Sequence, residues 1–174
     1  MSKELAKAIE RAAQAFTQDP PTDEREDGFE SDTLEDHDTH LRKACRALQL
    51  GKELLAGDRD ALIEDRFYTA AIELAFACIE RTSSAILIAS GRITSGEQLP
   101  HAKLIARSHE AGAWSKGDAE RLAELYEQNR SIHYYRRGIP SRTKAQTIVA
   151  AAAEFHRLTV SGRFFDPSTC ICAT

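Results

Sequence analysis

The sequence predicts an all-α fold: an up-and-down bundle of four to five helices with a peripheral helix ahead of it. Three observations carry this. Apolar residues recur at helical spacing along every long segment. Ala and Leu, the strongest helix formers, dominate those segments. Gly and Pro are sparse inside them and fall at the boundaries instead, as at Gly57, Pro100, Gly138 and Pro140. A chain of 174 residues accommodates one compact domain and an appendage.

The elements follow in order. Lys3 to Phe16 reads as a short amphipathic helix with Leu5, Ile9, Ala12 and Phe16 on one side, so residues 1–16 form a peripheral piece. Residues 17–36 read as a flexible acidic linker: Pro20-Pro21 breaks any helix, and nine acidic side chains face one base, Arg25. The bundle proper occupies residues 37–160. Its first helix spans about Asp38 to Leu55, with Leu41, Ala44, Cys45, Leu48 and Leu55 inward, and ends before Gly57. Asp58 is a candidate cap for the next, which reaches Ala89. That helix is apolar nearly all round from Phe67 to Ile79, which marks it as the central one. Glu73, Glu80 and Arg81 are conspicuous on it.

A Gly-bearing turn from Ser90 to Gln98 leads to a helix from Pro100 to Ala111, where Pro suits the first position because its missing donor is unneeded there. Ser115 with Asp118 resembles a capping box opening a helix that runs to Gly138. Leu122, Leu125 and Tyr126 form its apolar face. Ser141 begins the last helix, which buries Ala145, Ile148, Val149, Ala152 and His156 and ends near Val160. The tail, residues 161–174, is expected to be poorly ordered, with Phe164-Phe165 able to dock.

Composition excludes several classes. The most apolar stretch, Phe67 to Ala89, is interrupted by Glu73, Glu80 and Arg81, so no membrane span is expected. The first lysines are not followed by an apolar run, so no secretory signal is expected and a cytoplasmic location is the default. Cys45 and Cys78 lie on apolar helical faces and read as small core residues. Cys170 and Cys172 form a lone Cys-x-Cys; zinc needs two further ligands and the sequence offers no second close pair. Neither a metal nor a cofactor is expected. His101 and His109 read as exposed helix residues.

Charge is distributed unevenly. Residues 17–36 carry −8 of the net −4, leaving +4 for the rest. Between Glu127 and Glu154 there is no acidic residue, while Arg130, Arg136, Arg137, Arg142 and Lys144 fall within that window. Such a patch suits a polyanion such as RNA. Arg136 and Arg137 before Gly138 equally suit a helix C-terminus, where cations are favoured.

Continuing the apolar face past Tyr126 places Asn129 and His133 on it, an amide and an imidazole where core packing would otherwise extend. The run Asn129-Arg130-Ser131-Ile132-His133-Tyr134-Tyr135, following a long central helix and a short helix begun by Pro100-His101-Ala102-Lys103, resembles the HEPN superfamily over about residues 38–160. Its pattern is Arg-Asn, three residues, His, one residue, Tyr. Asn129, His133 and Tyr135 match, and Gln128 stands at the position of the Arg.

The resemblance implies a metal-independent endoribonuclease of toxin–antitoxin or defence type, cutting RNA in a cleft at a homodimer interface. It implies His133, Asn129 and Arg130 as the catalytic set, with Gln128, Tyr135, Arg136 and Arg137 on the RNA. An antitoxin or nucleotidyltransferase partner is a further implication. Chemically, cleavage needs a base for the 2′-hydroxyl, an acid for the leaving oxygen and a cation on the phosphorane. His133 titrates near neutrality, and Arg130 is the nearest replacement for the missing guanidinium. Glu80 and Arg81 pair on the central helix or support His133. The alternative implication is an inactive HEPN module that binds RNA, a nucleotide or a protein.

Overall fold

The computed structural model describes residues 36–56, 61–97, 99–112, 114–130, 140–166 and 170. The expected N-terminal helix, the acidic linker up to residue 35, and the stretch holding His133, Tyr135, Arg136 and Arg137 lie outside the described residues. Among the described residues the fold is all-α. Five helices, α1 (His37–Ala56), α2 (Ala61–Ala89), α3 (His101–Arg107), α4 (Lys116–Asn129) and α5 (Arg142–Val160), follow one another, with a 3₁₀ turn, Ser108–Ala111, prolonging α3.

Polar caps set the boundaries. Asp36 accepts from the Thr39 backbone N–H at 2.7 Å and starts α1. Burial pushes the Asp36 carboxyl upward, but the Thr39 hydrogen bonds and the charges of His37 and Arg42 together hold it below its ordinary value. Ser115 caps α4 through the Asp118 N–H, and Ser141 caps α5 through the Lys144 N–H, both as expected. α2 ends in a Schellman turn: Arg92 N–H reaches Leu87 O, Gly91 N–H reaches Ile88 O, and Gly91 takes φ +68°.

At 29 residues α2 is roughly 44 Å long and forms the axis of the bundle. It packs against α1, α3 and α5, while α4 rests mainly on α3. Tyr68, Ala71, Ile72, Ala75, Phe76, Cys78 and Ile79 of α2 are buried together with Leu48, Ile105, Tyr126, Val149 and Phe155. The expected faces of α1 and α5 hold, except that Leu55 is only partly buried. Two expectations need correction. Leu125 does not share the buried face of Tyr126: it is 39% exposed, and only Ala119, Ala123, Tyr126 and Asn129 of α4 are fully buried. Among the described residues after α5, Phe165 docks as its sequence allows, buried with its ring 5.9 Å from that of His37, while Cys170, expected in a poorly ordered tail, is 2% exposed.

With a rotation of 100° per residue, Glu73 and Glu80 share one face of α2, whereas Cys78 and Thr82 lie on the opposite one. The central helix therefore carries two polar regions separated by its own width.

Candidate functional site

The first region lies where α4 ends. Tyr126 and Asn129, three residues apart, share the face that α4 turns to α2. Tyr126 meets Phe76 edge-on, with ring centroids 5.5 Å apart, and the His101 ring lies 5.8 Å away. One turn on, Asn129 is 3% exposed, and its Nδ2 donates to Glu73 Oε1 at 2.9 Å. The Asn129 Oδ1 is buried and has no hydrogen-bond partner among the described residues, which costs about 1–3 kcal/mol for an acceptor stripped of water. Arg130, the C-cap of α4, holds its guanidinium carbon 5.8 Å from the Tyr126 ring centroid, within cation–π range.

Glu80 completes the cluster. Its Oε2 lies 2.8 Å from His101 Nδ1, at the start of α3. Thus Glu80 finds its partner on α3, and Arg81 turns to His40, with Nη1 3.3 Å from Nδ1. His101 is indeed half exposed, but it is held by the Glu80 carboxylate rather than standing as a lone surface group. Burial pushes the Tyr126 phenol above its ordinary pKa; Arg130 opposes this, and the carboxylates of Glu80, Glu127 and Glu73 reinforce it. The cluster combines two carboxylates, an imidazole, a phenol, an amide and a guanidinium. A carboxylate-oriented imidazole is suited to moving a proton, and the guanidinium to holding an anion.

Of the residues expected to form the site, Asn129 and Arg130 are brought to this cluster. Gln128 is exposed and opens the other way, onto a groove between α3 and α4 lined also by Lys103, Glu124 and Glu127. His133, Tyr135, Arg136 and Arg137 lie outside the described residues. Sequence reasoning singled out Glu73, Glu80 and Arg81 as charges on an otherwise apolar helix, but missed the role of His101 and took Tyr126 for packing. Nothing local distinguishes His101; only the register of α3 against α2 brings it to Glu80.

The second region was not foreseen. Cys45 of α1, His156 of α5 and Cys170 place their ligating atoms within 4.8 Å of one another, and all three are buried. His156 Nε2 is 3.0 Å from Cys170 Sγ, and its Nδ1 is 2.9 Å from the Thr82 hydroxyl. Cys78 Sγ lies 3.9 Å from that same hydroxyl. Burial drives the His156 pKa down to about 4, with the Lys52 charge adding to it, so the ring is neutral. Burial likewise drives the Cys78 thiol up to about 12. The second pair of ligands that the sequence lacks is supplied by the fold, while Cys172 lies outside the described residues.

No curated protein and no solved structure matches this chain. Residues 1–172 match the family described as "Domain of unknown function (DUF8154)". The match spans nearly the whole sequence, so the chain belongs to the DUF8154 family.

Proposed function

We propose that this chain is a HEPN-type RNA-directed protein, a metal-independent endoribonuclease of toxin–antitoxin or defence type, whose cleft forms between two copies at the ends of their α4 helices. The observation that carries the reading is the change of chemistry at that end. Around the contact of Tyr126 with Phe76 the neighbours turn polar: Asn129 and Arg130 lie one turn on along α4, Glu73 and Glu80 flank Phe76 along α2, and His101 meets both Tyr126 and Glu80. The Asn of the motif is fastened to the central helix, so the chain that leaves α4 toward His133 starts from a fixed point. An acceptor left open at Asn129 Oδ1 is consistent with a further donor being brought there.

In this reading His133 moves the proton, Asn129 orients it, and Arg130 supplies the cation for the phosphorane. Gln128, Tyr135, Arg136 and Arg137 contact the RNA. An antitoxin or nucleotidyltransferase partner accompanies the toxin form of the proposal, and the location is cytoplasmic. No helix among the described residues is long and apolar enough to cross a membrane.

A second reading, an inactive HEPN module binding RNA, a nucleotide or a protein, is favoured by Gln128. It is uncharged and faces the α3–α4 groove beside Glu124 and Glu127, unlike the Arg that the motif calls for.

The test is RNA cleavage by the full chain in buffer with no divalent metal added, comparing wild type with His133→Ala and Gln128→Arg. Cleavage lost in His133→Ala supports the nuclease. Intact RNA with wild type and with Gln128→Arg removes it and leaves the binding module.

A further inference from the structure

We propose that Cys45, His156 and Cys170 form a buried site for a thiophilic divalent metal ion, zinc above all, which fastens the segment after α5 to the bundle. Four features carry this. First, the three ligating atoms come from α1, α5 and the C-terminal segment, yet all lie within 4.8 Å of one another. Tetrahedral zinc with bonds of about 2.0–2.3 Å separates its ligand atoms by roughly 3.3–3.8 Å, so small rotamer adjustments bring this set into coordination.

Second, the imidazole is already aimed. Thr82 holds Nδ1 at 2.9 Å, and Nε2 faces the Cys170 sulfur at 3.0 Å. When Nδ1–H donates to the hydroxyl, the Nε2 lone pair points at the sulfurs, as the outer partner of a metal-bound histidine ensures. Third, two sulfurs and one nitrogen are a soft donor set that selects zinc or copper(I) over magnesium or calcium. Fourth, the surroundings demand neutrality. Leu41, Ile86, Val160 and Phe165 belong to the cluster around Cys45 and Cys170. A divalent ion bound by two thiolates carries no net charge, so burial among hydrocarbon does not oppose it as it would an isolated ion.

Loading proceeds without redox change. The ion displaces the protons of the Cys45 and Cys170 thiols, releasing two protons to solvent, and His156 enters neutral through Nε2, leaving the fourth position to a further ligand. The result would be a clamp joining three parts of the fold. It stands apart from the α4 cluster, on the opposite face of α2.

The test uses the untagged full chain, reduced and verified for free thiols, titrated with cobalt(II) and then zinc. The expected result is one equivalent of cobalt per chain, with thiolate-to-cobalt charge-transfer and tetrahedral d–d bands that zinc abolishes. Cys45→Ser and Cys170→Ser each lose those bands, while Cys78→Ala, which alters a neighbouring thiol outside the trio, keeps them. Folded, reduced wild type that takes up no cobalt overturns the proposal without any variant, leaving core thiols only. So does cobalt binding that survives both serine variants, or a Cys45–Cys170 disulfide found in the native protein in place of metal.

Discussion

Asn129 Nδ2 donates to Glu73 Oε1 across 2.9 Å, joining the last turn of α4 to the middle of α2, while the amide's own oxygen stays buried and unmatched among the described residues. The two halves of this amide have opposite energetic consequences. A hydrogen bond to a carboxylate contributes about 1.5–3 kcal/mol, whereas the orphaned oxygen costs about 1–3 kcal/mol. Glu73→Ala removes the acceptor and leaves both ends of the amide unpaired. It is expected to lower unfolding stability by about 1–3 kcal/mol in urea titration. Glu73→Gln keeps an acceptor and recovers most of that loss. Equal destabilisation by both variants would mean the bond contributes nothing.

The protonation of His156 gives a pH dependence with a definite sign. Its folded pKa of about 4 lies below the ordinary 6.5 because burial disfavours the imidazolium and Lys52 repels it. Between those values the unfolded chain binds more protons than the folded one, so stability rises with pH across that window. The contribution is present above pH 6.5, is lost as the pH falls, and levels off below about 4. Its full size is roughly 3 kcal/mol, from a separation of about two and a half pH units. Thr82 and Cys170 meet the two ring nitrogens and Cys45 lies beside them, so no carboxylate is among these neighbours to offset the imidazolium. The measurement is chemical denaturation of metal-free protein at several pH values, wild type against His156→Gln. The variant is expected to lose much of the acid-side slope.

Helices and caps were legible in the sequence because their causes are local. Ser115 and Ser141 accept from N–H groups three residues on, and a periodic apolar stripe signals its own burial. Phe165 could be read as able to dock, but Cys170 was missed for the converse reason: nothing near it in sequence reveals the buried cluster of α1, α2 and α5 residues that it joins. The same holds for the sites. Glu73 and Glu80 stand out on an apolar helix, but the pairing of Glu80 with His101 depends on the register between two helices. Cys45 and Cys170 look like an inert core thiol and half of an isolated pair, until α5 brings His156 to the same point.

Gly51 offers a stabilising substitution. It is buried in the interior of α1, where glycine costs roughly 0.5–1 kcal/mol relative to alanine. A Cβ placed there would meet Ala71 O at 3.5 Å and Leu74 Cβ at 3.6 Å, ordinary contact distances. Gly51→Ala is therefore expected to raise stability by about 0.5–1 kcal/mol, read as a higher denaturation midpoint with unchanged slope. A lowered midpoint would show that α1 and α2 have no room for a methyl group.

Trp114 is the chain's one tryptophan and reports on the contact between α5 and the 3₁₀ turn. Its ring lies 4.1 Å from that of Phe155, and its Nε1 donates to the Ser108 hydroxyl at 2.9 Å. Phe155 is 6% exposed and belongs to the main core, whereas Leu158 beside it is 40% exposed. Truncating Phe155 removes buried hydrocarbon and the ring packed against the indole together. Phe155→Ala is expected to cost about 3–5 kcal/mol and to shift tryptophan emission to the red as water reaches the indole. Leu158→Ala, with much of its surface already in water, is expected to cost under about 1 kcal/mol and to leave the emission unchanged. Emission unmoved by Phe155→Ala in protein that remains folded would refute the contact between the two rings. A red shift from Leu158→Ala alone would place the indole against α5 one turn later than the structure has it.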